Sequence, residues 1–180
     1  MDTVAMLPTG ELVVLRPLEP DDADDFWRWH KDPDVGRWLV ADYHESFAQT
    51  RARFAERKPN SHSNVVLGVE TLAEGKLIGA ACLEGATPET ARAEVSFYLG
   101  EKDYWGRGYG TDAMRTLCRY GFEVMRLHSI ALWVVPENEA AVRLYKKVGF
   151  REDGRHRDAF RGVGRWHDLL LMSLLEGELT

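Results

Sequence analysis

One short segment constrains the fold more than any other part of the chain: Tyr104 to Met114, which reads YWGRGYGTDAM. Gly106, Gly108 and Gly110 stand at alternate positions between a strand-like run and a helix-like run. Glycine loses more backbone entropy on folding than other residues, so this spacing indicates either an unusual backbone path or a ligand that approaches the backbone closely. Because backbone N–H groups at a helix start carry partial positive charge, such a loop favours a phosphate ligand.

The chain before this segment predicts an antiparallel meander. A strand over 11–17 is followed by helices near 19–30 and 46–57, and then by the strand-like runs NVVLGVE, KLIGAACLE and AEVSFYLG. Gly75 suits the hairpin turn between the first two of these runs. Side chains alternate along a strand, so the third run has one apolar face and one face that carries Glu94, Ser96 and Tyr98.

The second half predicts a strand between two helices and then a hairpin. Apolar residues at helical spacing predict a helix over about 110–125, followed by the strand HSIALWVV. A second helix is predicted to begin at Asn138 and to end at Gly149. Residues 150–175 predict two further strands around a turn near 161–164. Since no repeat or linker interrupts the pattern, we expect residues 1–180 to form a single α/β (α+β) domain with a mostly antiparallel, mixed sheet flanked by helices.

Composition narrows the class of protein. The chain is 44% hydrophobic and 29% charged, which is typical of a soluble globular protein. No apolar run approaches the ~20 residues of a membrane span, and the N-terminal sequence lacks the pattern of a secretory signal, so we expect a cytoplasmic protein without a membrane partner. The net charge of −6 argues against general nucleic-acid binding. Cys82 and Cys118 are predicted to be reduced core thiols, and no metal-ligand spacing occurs.

Two classes of phosphate ligand compete for the glycine loop. GYGTDA, at 108–113, matches the dinucleotide fingerprint G-x-G-x-x-A. In that fingerprint the strand leads directly into the glycines, whereas GEKDYW separates Leu99 from Gly106 here. Too little chain follows Glu137 for the additional parallel strands of a dinucleotide fold. A nicotinamide-dependent oxidoreductase is therefore disfavoured.

The second class rests on a family resemblance that covers nearly the whole chain. WGRGYGTDAM, together with VVPENEAAVRLYKKVGF about 30 residues on, resembles the GNAT superfamily of acetyl-CoA-dependent N-acetyltransferases. The segments LVVLRPLEPDDADDFWRWHKDPDV and GRWHDLLLMSLL look like the opening and closing parts of its Rim-type (RimJ/RimL-like) branch, which acetylates N-termini of ribosomal proteins. The resemblance implies the GNAT acyl-CoA N-acyltransferase fold, acetyl-CoA as cosubstrate and no metal.

The resemblance also implies a set of coenzyme contacts. In the family a Q/R-x-x-G-x-G/A loop holds the coenzyme A pyrophosphate. The thioester carbonyl bonds to strand backbone at the gap where the third meander strand splays from the next, which here implies the end of SFYLG, near Tyr98 and Leu99, facing ALWVV. Gly108 and Gly110 fill the two small positions of that loop, whereas Trp105 stands where Gln or Arg is usual. Independently of the resemblance, Lys102, Arg107, Arg115 and Arg119 form a local positive cluster around the loop, for which a solvated helix face is the favoured alternative. The expected coenzyme-binding residues are Tyr98, Leu99, Trp105, Gly106, Arg107, Gly108, Tyr109, Gly110, Thr111, Asn138 and Tyr145.

Catalytic roles follow from the same resemblance. Tyr145 matches the family tyrosine often assigned as the acid that protonates the departing thiolate, and a phenol with a pKa near ~10 keeps its proton at neutral pH. Asn138 lies seven residues earlier, on nearly the same helix face. Glu94 is the candidate general base, with Ser96 ordering a water. A structural, ion-paired role for Glu94 is an equal alternative, and Glu84, Glu70 and His128 are reserve bases.

The acceptor is the least constrained part of the prediction. Trp27, Trp29, Trp38, Tyr43 and Phe47 precede the meander, where family members build part of the acceptor pocket, although core packing explains most of such residues. We expect acetyl transfer to a primary amine by direct attack in a ternary complex, with a protein or peptide N-terminus as leading acceptor. The alternatives are a small amine (antibiotic, amino acid or polyamine) and a non-catalytic acyl-CoA sensor. A homodimer is compatible with this reading.

Overall fold

The computed structural model describes residues 6–39, 44–162 and 164–180, so Tyr43 lies outside the described residues. In this part of the chain the sheet has seven strands, in the order β1-β2-β3-β4-β5-β7-β6. Its strands are β1 Val13–Pro17, β2 Asn64–Thr71, β3 Leu77–Glu84, β4 Arg92–Leu99, β5 Ser129–Val134, β6 Arg151–Gly162 and β7 Arg165–Leu175. Strands β4 and β5 run parallel, and the other neighbouring pairs are antiparallel. The predicted mixed sheet is confirmed, and this strand order is not that of a dinucleotide fold.

Within the described residues, five α-helices cover the two faces of the sheet. They are α1 Ala23–His30, α2 Pro33–Gly36, α3 Phe47–Ala55, α4 Tyr109–Glu123 and α5 Glu139–Val148. Helices α4 and α5 contribute to the larger apolar cluster, which includes Val95 and is contacted by Phe97. Helices α1 to α3 form a second cluster, which is contacted by Tyr98. The two faces of β4 therefore pack against different helices, as the alternation of its side chains predicts. Among the described residues, no helix is long and apolar enough to cross a lipid bilayer.

Local sequence signals account for several element boundaries. Asn138 caps α5, since its side-chain Oδ1 accepts from the N–H of Ala141 at 3.3 Å, and Gly149 ends the helix with φ +116°. Gly75 has φ +62° in the β2–β3 turn. Helix α1 begins later than predicted because a 3-10 turn over Pro20–Asp22 precedes it. Proline at the first position of that turn has no N–H to leave unsatisfied.

The parallel pair β4 and β5 separates soon after it begins. The Cα partners run from Arg92↔Ser129 to Glu94↔Ala131, and the pairing stops there, although β5 stays paired with β7 as far as Val134. Beyond Glu94 the edge of β4 therefore faces an opening between the two strands. We call this opening the fork; its arms are residues 95–99 of β4 and 132–134 of β5, and its closed end is at Glu94.

Candidate active site

The β4 arm of the fork presents backbone groups that β5 does not pair with. Buried backbone N–H and C=O groups need hydrogen-bond partners, so an unpaired strand edge inside a sheet is suited to a ligand that supplies them. Tyr98 and Leu99, the predicted contacts for the thioester, lie at the open end of this arm. The Leu99 carbonyl accepts from Trp105 Nε1 at 3.0 Å. Trp105 thus ties the glycine loop to the arm, a contact that the motif did not predict.

The Tyr98 side chain lies on the other side of β4 from the large apolar cluster. Its hydroxyl is 3.2 Å from His30 Nε2, and its ring packs against Phe26 and Trp29 at centroid distances of 6.2 and 6.1 Å. Burial raises the pKa of this phenol. The side chain anchors α1 to the sheet, and only the backbone of Tyr98 is positioned to line the fork.

The glycine loop takes an unusual backbone path. Gly106 has φ +69° and Gly108 has φ +89°, both in the left-handed region that L side chains rarely adopt. Gly108 is the N-cap residue of α4 and has no side chain with which to cap the helix. Two of the three glycines are therefore explained by backbone conformation alone.

The first turn of α4 is open to an anion. Asp112 N donates to Gly108 O at 3.0 Å, whereas the structure gives the N–H groups of Tyr109, Gly110 and Thr111 no acceptor among the described residues. Such N–H groups and the helix dipole together favour a negatively charged ligand. Arg107 is exposed beside this turn, with its guanidinium 6.0 Å from the Tyr109 ring centroid. The loop therefore fits the pyrophosphate that the resemblance implies.

Gly110 is small for a different reason from the one predicted. A Cβ atom there would lie 2.8 Å from Leu144 Cδ1 and 3.6 Å from ring carbons of Phe97. The missing side chain lets α4 pack closely against α5 and the β4 arm of the fork. A valine at Gly110 would disturb that packing, so such a variant tests the fold rather than the approach of phosphate to the loop.

The positive charge expected from Lys102 is directed elsewhere. Its Nζ lies 2.7 Å from Asp32 Oδ2 and 3.0 Å from Asp34 Oδ2, at the start of α2. Lys102 therefore joins the loop to α2 through an ion pair. Its charge is therefore not available beside the glycines as part of the positive cluster, because two carboxylates that are distant in sequence lie next to it.

Two carboxylates that sequence reasoning did not single out hold the loop in place. Asp112 accepts from the backbone N–H groups of Glu11, Leu12 and Val13 at 3.0, 2.8 and 3.1 Å, which joins the first turn of α4 to the start of β1. At the other end of the loop the buried Glu101 accepts from Trp29 Nε1 at 2.9 Å. Both contacts link residues more than 70 positions apart in the chain, and no local pattern indicates them.

Tyr145 lies in α5, one residue beyond the leucine that packs on Gly110. Its side chain is 8% exposed, its ring packs on Phe150 at a centroid distance of 5.8 Å, and its hydroxyl has no hydrogen-bond partner among the described residues. Burial raises the pKa of the phenol to about 12. The hydroxyl therefore keeps its proton at neutral pH and has it available to donate.

Asn138 has a structural task that the family match did not describe. Its Oδ1 caps α5, which leaves the amide NH₂ group available for another acceptor.

Two of the reserve bases are held in ion pairs. Glu70 Oε2 lies 2.5 Å from Arg16 Nε, and His128 Nδ1 lies 3.4 Å from Glu176 Oε1.

Glu94 stands at the closed end of the fork, opposite a second carboxylate. Glu84 on β3 is its Cα partner, and both residues are exposed. Neither side chain has an ion pair or hydrogen bond within the described residues, and β4 is an interior strand, so an ion-paired structural role for Glu94 loses support. Burial, with the negative charge of Glu84, raises the pKa of Glu94. Ser96 follows on the same face of β4 and is also exposed.

A parallel strand pair that opens into a fork, followed by a glycine loop and an open helix start, defines the acyl-CoA-binding class of transferases to which the resemblance pointed. The family profile described as "Acetyltransferase (GNAT) domain" matches residues 13–151. The chain belongs to the GNAT acetyltransferase family and is an acetyl-CoA-dependent N-acetyltransferase.

The similar proteins include a ribosomal and a spermidine acetyltransferase. The chain is 29% identical to "Uncharacterized N-acetyltransferase p20" of Bacillus licheniformis, over 93% of this chain and 95% of the relative. It is 29% identical to "Putative ribosomal N-acetyltransferase YdaF" of Bacillus subtilis, over 94% of both. The crystal structure of spermidine N-acetyltransferase from Vibrio cholerae in complex with CoA and spermine superposes with a TM-score of 0.81 at 25% identity, covering 92% of this chain and 96% of that one.

Proposed function

We propose that this enzyme transfers the acetyl group of acetyl-CoA directly to a primary amine, with Glu94 as general base and Tyr145 as general acid. The observation that carries the proposal is the position of Glu94 at the closed end of the fork, exposed and without a cationic partner among the described residues. The coenzyme thioester would lie along the fork against the backbone of Tyr98 and Leu99. Its pyrophosphate would bind the N–H groups of the loop and α4 start, with the Asn138 amide as a further contact.

The two proton transfers that the reaction requires support these two roles. An ammonium group must lose a proton before it attacks the thioester carbonyl, and the departing thiolate must gain one. Glu94 accepts the first proton, directly or through a water held by Ser96. The buried hydroxyl of Tyr145, with a pKa raised to about 12, supplies the second.

The leading acceptor is a protein or peptide N-terminus. Glu94 and Ser96 are exposed on the face of the sheet, which suits an acceptor that is the end of a long chain. An α-amino group has a pKa near ~8, against ~10.4 for a lysine side chain, so it needs less help from a base. A polyamine is the second candidate, because the unpaired carboxylates of Glu84 and Glu94 would attract a polycation and one similar structure is that of a spermidine acetyltransferase.

The acceptor is tested by a panel of amines with detection of free thiol. The panel contains a peptide with a free N-terminus, the same peptide with an acetylated N-terminus, lysine and spermidine. We expect turnover of the free peptide and none of the blocked one. Absence of turnover with every amine, while acetyl-CoA binds, would favour the non-catalytic sensor.

Glu94→Gln tests the base, because it keeps the size of the side chain and removes its basicity. We expect a large fall in turnover at neutral pH with acetyl-CoA affinity nearly unchanged. Part of the activity should return as pH rises and free amine accumulates. A variant impaired equally at every pH, or not impaired at all, would contradict the role of Glu94 and favour Glu84 or an ordered water; Glu89→Gln, in an exposed loop, is the control.

A further inference from the structure

A cavity of about 470 Å³ lies near the open end of the fork, where the β5–α5 connection meets the start of β7 and the segment after α2. Its wall includes Arg37, Trp38, Glu137, Asn138, Arg165 and His167. Apart from Asn138, the reaction proposed above uses none of these residues. We call this cavity the His167 pocket.

The imidazole of His167 is buried but keeps one nitrogen without a hydrogen bond. The side chain is 3% exposed and packs edge-on against Trp38 at a centroid distance of 5.5 Å. Its Nε2 lies 2.9 Å from the Gly162 carbonyl oxygen. Since a carbonyl only accepts, Nε2 carries the proton of the neutral ring and Nδ1 carries the lone pair. Nδ1 lies 3.2 Å from Glu137 Oε1 but is not aligned for a hydrogen bond.

In the neutral ring this arrangement brings two hydrogen-bond acceptors together, the Nδ1 lone pair and the Glu137 carboxylate, which repel each other at 3.2 Å, whereas a protonated ring forms an ion pair there. A group that donates to both of them removes the repulsion, and a primary ammonium carries three donors. Glu137 Oε1 also accepts from Arg165 Nη2 at 2.7 Å, which holds the carboxylate in position.

Arg37 adds a donor to the same wall. Its guanidinium lies 5.1 Å from the Trp38 ring centroid and forms no ion pair within the described residues. A guanidinium beside an ammonium site suits a ligand with an oxygen close to its amino group. The N-terminal residue of a peptide has such a carbonyl, whereas a polyamine has only further cationic groups.

We propose that the His167 pocket binds the N-terminal residue of a peptide acceptor before it reacts, with its ammonium group on His167 Nδ1 and Glu137 and its first carbonyl oxygen on Arg37. The amine then moves into the fork, where Glu94 takes its proton. This inference rests on the proposed acetyl transfer to a peptide N-terminus and adds the residues that recognise the acceptor. His167, Glu137 and Arg37 require no contact with coenzyme A in this arrangement, so variants of these three residues should change acceptor binding alone.

Steady-state kinetics with the free peptide Ala-Ser-Gly-Tyr and with spermidine test the proposal. His167→Phe keeps an aromatic ring against Trp38 and removes both nitrogens. We expect its KM for the peptide to rise about 10-fold or more, the loss typical of a hydrogen bond to a charged group, with the calorimetric Kd for acetyl-CoA unchanged. Arg37→Gln should raise the KM for the peptide and leave the KM for spermidine unchanged. His156→Phe, an exposed histidine on β6, is the matched control.

Three outcomes overturn the inference. The first is an unchanged KM for the peptide in a folded His167→Phe enzyme. The second is turnover of spermidine but not of the peptide by the wild-type enzyme. The third outcome comes from ¹⁵N NMR of the His167 ring, which tests the pocket even if the wild-type enzyme acetylates no amine and the proposed function fails. A change in the Nδ1 signal on addition of the peptide, absent for the blocked peptide, supports the pocket. No change in that signal overturns it.

Discussion

Helices α4 and α5 both begin beside the fork, but they begin in opposite ways. Helix α5 starts at Asn138, whose Oδ1 satisfies the N–H of Ala141. Helix α4 starts at Gly108, which has no side chain, and the N–H groups of its first turn are open. A capped helix start adds to stability, whereas an uncapped one keeps its positive end for a ligand. The difference suggests a division of tasks, in which α4 binds the coenzyme phosphates and α5 carries the reacting hydroxyl of Tyr145.

The largest effect should come from Tyr145→Phe, which deletes one hydroxyl from α5. If α5 serves the reaction and α4 serves binding, turnover should fall about 100-fold because a general acid is lost. The Kd for acetyl-CoA, measured by calorimetry, should not change. Tyr120→Phe, in α4, is the control. If the turnover of Tyr145→Phe equals that of the wild type, Tyr145 is only a packing residue, and the division of tasks between α4 and α5 is refuted.

Asp112→Ala should disturb the first turn of α4 by removing its contact with the start of β1. Three backbone N–H groups at the start of β1 lose their carboxylate acceptor, so we expect the free energy of unfolding to fall by about 2 kcal/mol in urea titrations. Acetyl-CoA affinity should fall as well, because the first turn of α4 is no longer fixed. The exposed Asp103→Ala should do neither. Full affinity in a destabilised Asp112→Ala would mean that the loop alone positions the N–H groups.

Asn138 separates capping from coenzyme contact. Asn138→Ala should reduce the free energy of unfolding by about 1 kcal/mol, whereas Asn138→Asp keeps the capping oxygen and should be close to wild type. If the Asn138 amide also contacts the coenzyme, both variants should bind acetyl-CoA more weakly. Calorimetry and thermal unfolding on the same samples distinguish the two tasks; unchanged affinity in both variants would restrict Asn138 to capping.

The smallest effect should be a change in pH profile. The negative charge of Glu84 contributes to the raised pKa of Glu94. Glu84→Gln removes that charge and lowers the pKa of Glu94, so the base is ionised at lower pH. The acidic limb of kcat/KM should therefore move to lower pH. If the acidic limb of the kcat/KM profile does not move, or moves to higher pH, the ionisation of Glu94 does not determine its position.

Features that depend on residues close together in the sequence could be predicted, and features that depend on contacts between distant segments could not. The caps of α5, the Gly75 turn and the two faces of β4 follow from local patterns, and the fork follows from the family resemblance. Asp112 and the His167 pocket join segments that no spacing connects, and the ion pairs of Lys102 remove its charge from the positive cluster that the local sequence indicates. The extent of the domain over 1–180, the homodimer and the cytoplasmic location stay predictions.

The fork also gives the sheet a third edge, in addition to those of β1 and β6. Exposed strand edges invite pairing with other chains, and β6 counters this with charged residues and two register shifts. The edge inside the fork needs neither device. At Glu94 the opening narrows to one strand spacing, about 4.8 Å, so a foreign strand cannot continue past this residue. The closed end of the fork therefore limits the length over which another chain could pair with this edge to residues 95–99.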